Sequence, residues 1–86
     1  MPSYLVESYA NDSPTVLADA RGRARRTAEL GQGIRYLRST FLPGDETVLH
    51  LFEAPSRDAL DLAGRRAALP FERIVEAVEE TVEEER

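Results

Sequence analysis

The sequence predicts an α+β domain of βαββαβ order: an antiparallel four-stranded sheet with two helices on one face. Three observations carry that expectation. From Gly33 to Val78 the chain reads as strand, Pro43-Gly44-Asp45 turn, strand, short helix and strand. One further strand and one helix stand before it. Each helical stretch opens on a serine beside a proline, Ser13-Pro14 and Pro55-Ser56, and closes near a helix-ending residue, Gly31 or Pro70.

Tyr4 to Tyr9 is the first strand, with Tyr4, Val6 and Ser8 on one side and Leu5, Glu7 and Tyr9 on the other. Ser13 is the expected N-cap and Pro14 suits the first helical position. Val16, Leu17, Ala20, Ala24 and Ala28 recur at helical spacing, and the helix is expected to end near Leu30 with Gly31 as a left-handed stop. Ile34 to Phe41 is the second strand and Thr47 to Glu53 the third. The second helix carries Leu60, Ala63 and Ala67 on its core side and is ended by Pro70, and Phe71 to Val78 is the last strand. Residues 1–82 form one domain, and 83–86, with Glu83-Glu84-Glu85, form a solvated acidic tail. Gly22 and Gly64 fall inside helices, where each costs about 1 kcal/mol relative to alanine. Either position is neutral, or the glycine allows a close approach of helix to strand.

Both helices of such a domain cover one sheet face. The row Tyr4, Val6, Leu37, Leu49 and Leu51 is consistently apolar and is assigned to the helix side. The opposite row then holds Leu5, Glu7 and Tyr9, Tyr36 and Arg38, and Val48, His50 and Phe52. That row is too apolar to be left in water and too polar for a plain core. The same face of a second chain would cover it, closing a dimeric α+β barrel by two-fold symmetry. A chain this short buries only roughly two thirds or less of its unfolded surface, so self-association would also add stability. Between the two sheets a small ligand could sit, with Glu7, Tyr9, Tyr36, Arg38, His50 and Phe52 as its lining.

His50 is the single histidine and titrates nearest neutrality. Two readings stand for it: a general acid or base oriented by Glu7, or a histidine hydrogen-bonded within an interface. Glu7 and Arg38 invite a buried ion pair, with Arg38 holding a carboxylate or phosphate as the other option. Arg21, Arg23, Arg25 and Arg26 make a basic patch on the first helix with no aromatic stacking platform beside it, which reads as a solvated helix face. Glu72, Glu76, Glu79 and Glu80 read as solvated or paired with those arginines.

Eleven arginines stand against sixteen acids, for a net charge of −5. Such a chain is a poor general binder of nucleic acid or of an anionic membrane. There is no cysteine, so disulfides and thiolate metal sites are excluded. No apolar run approaches the ~20 residues that cross a bilayer. The opening Met-Pro-Ser-Tyr-Leu-Val-Glu lacks the pattern of a signal peptide, so the expected location is the cytoplasm.

The strings Tyr4-Leu-Val-Glu7, Arg35-Tyr-Leu-Arg-Ser39, Leu51-Phe-Glu-Ala-Pro-Ser56 and Leu69-Pro-Phe-Glu-Arg-Ile74, followed by Glu76-Ala-Val78, fall in order over nearly the whole chain. They resemble a family of small bacterial proteins described as nickel-binding or as a domain of unknown function. The resemblance implies a ferredoxin-like βαββαβ sandwich that dimerises through its open sheet face. In nickel-binding members the metal is held largely by histidines, some near the first strand and the turn after it. Here those stretches read Val6-Glu-Ser-Tyr9 and Asn11-Asp-Ser13 and hold none. Many relatives place cysteine where this chain has His50. The expectation is therefore no resident cofactor. If nickel binds at all, its donors would be His50 and Glu7 at the dimer axis.

Three functions follow as expectations. The first is a homodimeric binding or accessory protein with a small ligand between its sheets. The second is a cofactor-free enzyme of the monooxygenase, cyclase or isomerase type, with His50 moving a proton and Arg38 and Tyr36 steadying negative charge. The third is a structural or regulatory dimer without a ligand.

Overall fold

The computed structural model describes residues 1–80, within which the chain runs β1 (Ser3–Tyr9), α1 (Pro14–Leu30), β2 (Arg35–Leu42), β3 (Thr47–Glu53), α2 (Arg57–Arg66) and β4 (Arg73–Ala77). The sheet order is β2-β3-β1-β4 and every neighbouring pair is antiparallel. This is a ferredoxin-like α+β fold. The acidic tail at 83–86 and the domain boundary at 82 lie outside the described residues. No described helix is long and apolar enough to cross a membrane.

The helices start where the sequence signals them. Ser13 accepts a hydrogen bond from the Val16 amide, with Pro14 in the first turn, and Ser56 accepts one from the Ala59 amide at 3.1 Å. The first helix does end at Leu30, but not by a left-handed glycine. Gly31 is extended, at φ −97° and ψ 147°, and its N–H returns to the Thr27 carbonyl. Its role is close packing: a Cβ there would run into the Ile34 side chain and stand 3.1 Å from Ala63. The left-handed residue is Gly33, at φ 70°. Gly22 has open space around it, so no close approach explains it, whereas a Cβ at Gly64 would stand 3.4 Å from the Phe71 ring.

The second helix stops at Arg66, four residues before Pro70. Ala68 there takes a left-handed φ of 55°. That turn delays the last strand, which begins at Arg73 rather than Phe71 and stops at Ala77. Ser8 donates to the Pro70 carbonyl and fixes the returning chain against β1. On the helix side, Tyr4, Val6, Phe52 and Ile74 from the sheet pack with Ala24, Leu60 and Ala63 from the helices.

Cross-strand register decides which residues share a face, because residues directly opposite in a ladder point the same way. Tyr4 pairs with Phe52 and Val6 with His50, and Ser8 pairs with Val48. The row Val48, His50 and Phe52 therefore lies on the helix side with Tyr4 and Val6. Leu49 and Leu51 lie on the open face, opposite Glu7 and Leu5. This reverses the expected assignment of β3. On β2 a bulge between Tyr36 and Arg38 breaks the alternation. Tyr36 joins the helix side opposite Phe52, Arg38 goes to the open face opposite Leu51, and Leu37 is left exposed instead of in the core.

Candidate functional site

The expected ligand set is divided by the sheet. Tyr36, His50 and Phe52 are on the covered side, while Glu7, Tyr9 and Arg38 are on the open side. Each side makes a distinct locus.

On the covered side, β2 and β3 bring three polar groups into one line. His50 and Ser39 are direct partners across the ladder, and Ser39 Oγ lies 2.6 Å from His50 Nδ1. The Tyr36 hydroxyl, three residues before Ser39 on the same strand, bonds the same Oγ. The bulge makes this possible, since it places positions 36 and 39 on one face. Tyr36 also stacks at 5.4 Å on Phe52 and stands edge-on to His50 at 6.2 Å. His50 is fully buried at 0% exposure, and its Nε2 has no hydrogen-bond partner among the described residues. Burial pushes its pKa down to about 4 from 6.5, so the ring is neutral at physiological pH. Whichever way the hydrogen bonds run along Tyr36, Ser39 and His50, Nε2 is left without one. An imidazole sealed in this way has no route to a substrate proton. Glu7 cannot orient it either, because Glu7 is across the sheet. Sequence reasoning missed Ser39 altogether. Its signal was present in the paired spacing of Ser39 and His50 about the Pro43–Asp45 turn, which a regular register counted out from that turn places opposite each other.

On the open side, the strands form rungs running from β4 to β2. The first is Ala77, Ser3, Glu53 and Arg35. The second is Val75, Leu5, Leu51 and Arg38, and the third is Arg73, Glu7, Leu49 and Thr40. The middle of this face is a leucine and valine stripe, and its margins carry ion pairs. The expected pair of Glu7 with Arg38 does not form. Glu7 binds Arg73 at 3.0 Å, Arg38 binds Glu79 at 3.2 Å, and Arg35 binds Glu53 at 3.0 Å. Glu79 is thus paired away from the arginines of α1, where Arg23 instead takes Asp19. Tyr9, at 71% exposure, stands at the end of the face. It also lines a groove of about 360 Å³ with Ala10, Asn11, Val16 and Glu46. A second groove, of about 440 Å³, lies between the end of α1 and α2, lined by residues that include Leu30, Ile34, Leu62 and Arg66. His50 borders neither groove.

The donor set does not fit nickel. His50 and Glu7 point to opposite faces of one sheet and cannot share an ion. Among the described residues no group of three or more His, Asp or Glu side chains is placed to hold a metal.

No family model and no curated protein matches the chain. Among solved structures, the crystal structure of SCO4226 from Streptomyces coelicolor A3(2) aligns with 92% of this chain and 99% of that one, at a TM-score of 0.72 and 16% identity. At that identity the likeness is one of fold.

Proposed function

We propose that the chain is a small cytoplasmic binding or accessory protein that acts as a homodimer, with its two open sheet faces packed together around a small ligand. The observation that carries this reading is the open face itself, where Leu5, Leu49 and Val75 are only half-buried in a stripe that no helix covers. An apolar stripe of this kind with a charged margin has the anatomy of a protein interface, apolar in the centre and polar at the rim. The margin also carries both signs, so a two-fold axis can set Arg73 or Arg38 of one copy against Glu7 of the other. The ligand set is reduced to Glu7, Tyr9 and Arg38, with Arg73 and Thr40 added from the same rungs. Tyr36, His50 and Phe52 belong to the core. Kinship to the small bacterial family whose strings the chain resembles is part of this proposal, without its nickel.

Sedimentation equilibrium of the full chain tests it, alongside the Leu5→Glu, Leu49→Glu double variant. The expected result is a dimer that the double variant converts to a monomer with unchanged far-UV circular dichroism. A wild-type chain that stays monomeric at high micromolar concentration overturns the reading. Native mass spectrometry of the same sample reports any retained organic mass. The acid–base enzyme reading gains no support from the geometry, because its proton carrier is buried away from this face.

A further inference from the structure

We propose that the groove between the end of α1 and α2 binds a small apolar monocarboxylate, with the acid head held by Arg66. This groove is on the helix side of the molecule, away from the open sheet face, and does not depend on the dimer. It follows from how the two helices meet. Gly31, just past α1, approaches α2 so closely that a Cβ there would stand 3.1 Å from the Ala63 side chain. Arg23, two turns earlier, donates to the Ala68 carbonyl just past α2. The two helices therefore run antiparallel. The small residues Gly31, Ala59 and Ala63 at their contact leave a groove of about 440 Å³, with buried Ile34 and Ala63 in its lining. That volume is within the range of small-molecule sites.

The walls are apolar side chains left in water. Leu30 on α1 is 39% exposed and Leu62 on α2 is 53% exposed. Both gain by being covered. From Ala59 to Arg66 the lining of α2 advances about 10 Å, the length of an extended chain of about eight carbons. A short apolar tail can therefore lie between the two leucines with its head at Arg66.

Charge identifies the head as an anion. The whole chain carries −5, yet its helices have the opposite sign. α1 holds four arginines and two acids, and α2 holds three arginines and two acids. Arg23 is taken by Asp19 and Arg65 by Asp61, and Arg57 donates to the Ile74 carbonyl. Arg66 lines the groove and makes no ion pair among the described residues. An unpaired guanidinium is a planar fork of donors that matches a carboxylate. Arg26, four residues before Leu30, shares its face of α1 and adds positive potential. The helix acids outside these ion pairs, Glu29 and Asp58, adjoin Leu30 and Ala59 in the chain, which leaves Arg66 as the end that attracts an anion.

Amide NMR titration of the full chain with octanoate, and with octanol as its uncharged counterpart, tests the site. Millimolar octanoate is expected to shift the amides of Leu30, Gly31, Ala59 and Ala63 saturably, and octanol to bind at least ten-fold more weakly. Arg66→Gln should weaken octanoate at least ten-fold, with octanol binding and circular dichroism unchanged. Equal binding of the two probes overturns the carboxylate assignment, as does an Arg66→Gln chain that binds octanoate like wild type. No saturable shift at the groove amides overturns the site. Shifts confined to Leu5, Leu49 and Val75 overturn it too, and place the acid on the open sheet face instead. Groove amides that shift on dilution of the chain without octanoate also overturn it, because a second copy would then be the occupant.

Discussion

Ser39 and His50 face each other across the β2–β3 ladder, and among the described residues the serine hydroxyl is the one hydrogen-bonding partner of the buried imidazole. The Tyr36 hydroxyl binds the same oxygen from the other side. A single small side chain thus satisfies two larger ones inside an otherwise apolar layer. What the structure does with its single histidine follows from that arrangement.

Stability should depend on His50 below neutral pH. Burial lowers its pKa to about 4 from 6.5. Between those values the unfolded chain binds a proton that the folded chain refuses, so stability falls as pH drops from about 6.5 to about 4 and is unaffected above. The loss amounts to about 3 kcal/mol. Urea unfolding of wild type and His50→Leu between pH 4 and 8 checks this. The difference between the two curves should slope through that window, and parallel curves would contradict the buried neutral ring. The histidine Cε1 proton resonance offers a direct reading, because no other histidine overlaps it.

Ser39→Ala should cost about 1–3 kcal/mol at pH 7, since it strips partners from both Tyr36 and His50 inside the protein. Chemical denaturation measures it. The pairing of Ser39, Tyr36 and His50 also predicts that Ser39→Ala and His50→Leu are not additive. A double variant whose cost equals the sum of the singles would show that the three groups do not act together.

Two glycines should respond in opposite directions. Gly31→Ala places a methyl against Ile34 and Ala63 and is expected to destabilise by about 1–3 kcal/mol. Gly22→Ala fills open space in the middle of α1 and should stabilise by about 1 kcal/mol. Thermal melts of both variants test the close approach at one position and its absence at the other.

Among the helix caps, Ser56 should matter more than Ser13. Its oxygen is 3.1 Å from the Ala59 amide, against 3.5 Å between Ser13 and the Val16 amide. Ser56→Ala is expected to cost about 1 kcal/mol, and Ser13→Ala less. Equal losses in denaturant midpoint would show that the hydrogen-bond geometry is not what ranks them.

The order of the elements could be read from the sequence because each has a local cause: a serine cap, a proline turn, an alternating run. The phase of β3 could not. Val48-Leu49-His50-Leu51-Phe52 is apolar on both of its rows, so period-two reasoning had only His50 to choose by, and a histidine looks like a residue for the outside. What reverses the choice is Ser39, a partner eleven residues away across the β2–β3 ladder, joined there by Tyr36 through the β2 bulge. The same bulge separated Tyr36 from Arg38, which strict alternation had joined. Glu7 and Arg38 were correctly placed on the open face. Their partners, Arg73 and Glu79, come from β4 and just beyond it, contacts of long sequence separation that no local pattern encodes.

The bulge at Leu37 has one more effect. β2 is an edge strand, and a regular edge is a template on which another chain can lay a strand, then another, without end. A strand added along β2 would fall out of step at Leu37 and meet the guanidinium groups of Arg35 and Arg38 on either side of it. Growth along that border is interrupted after a few residues. Edge-to-edge growth of the sheet is therefore disfavoured on that side.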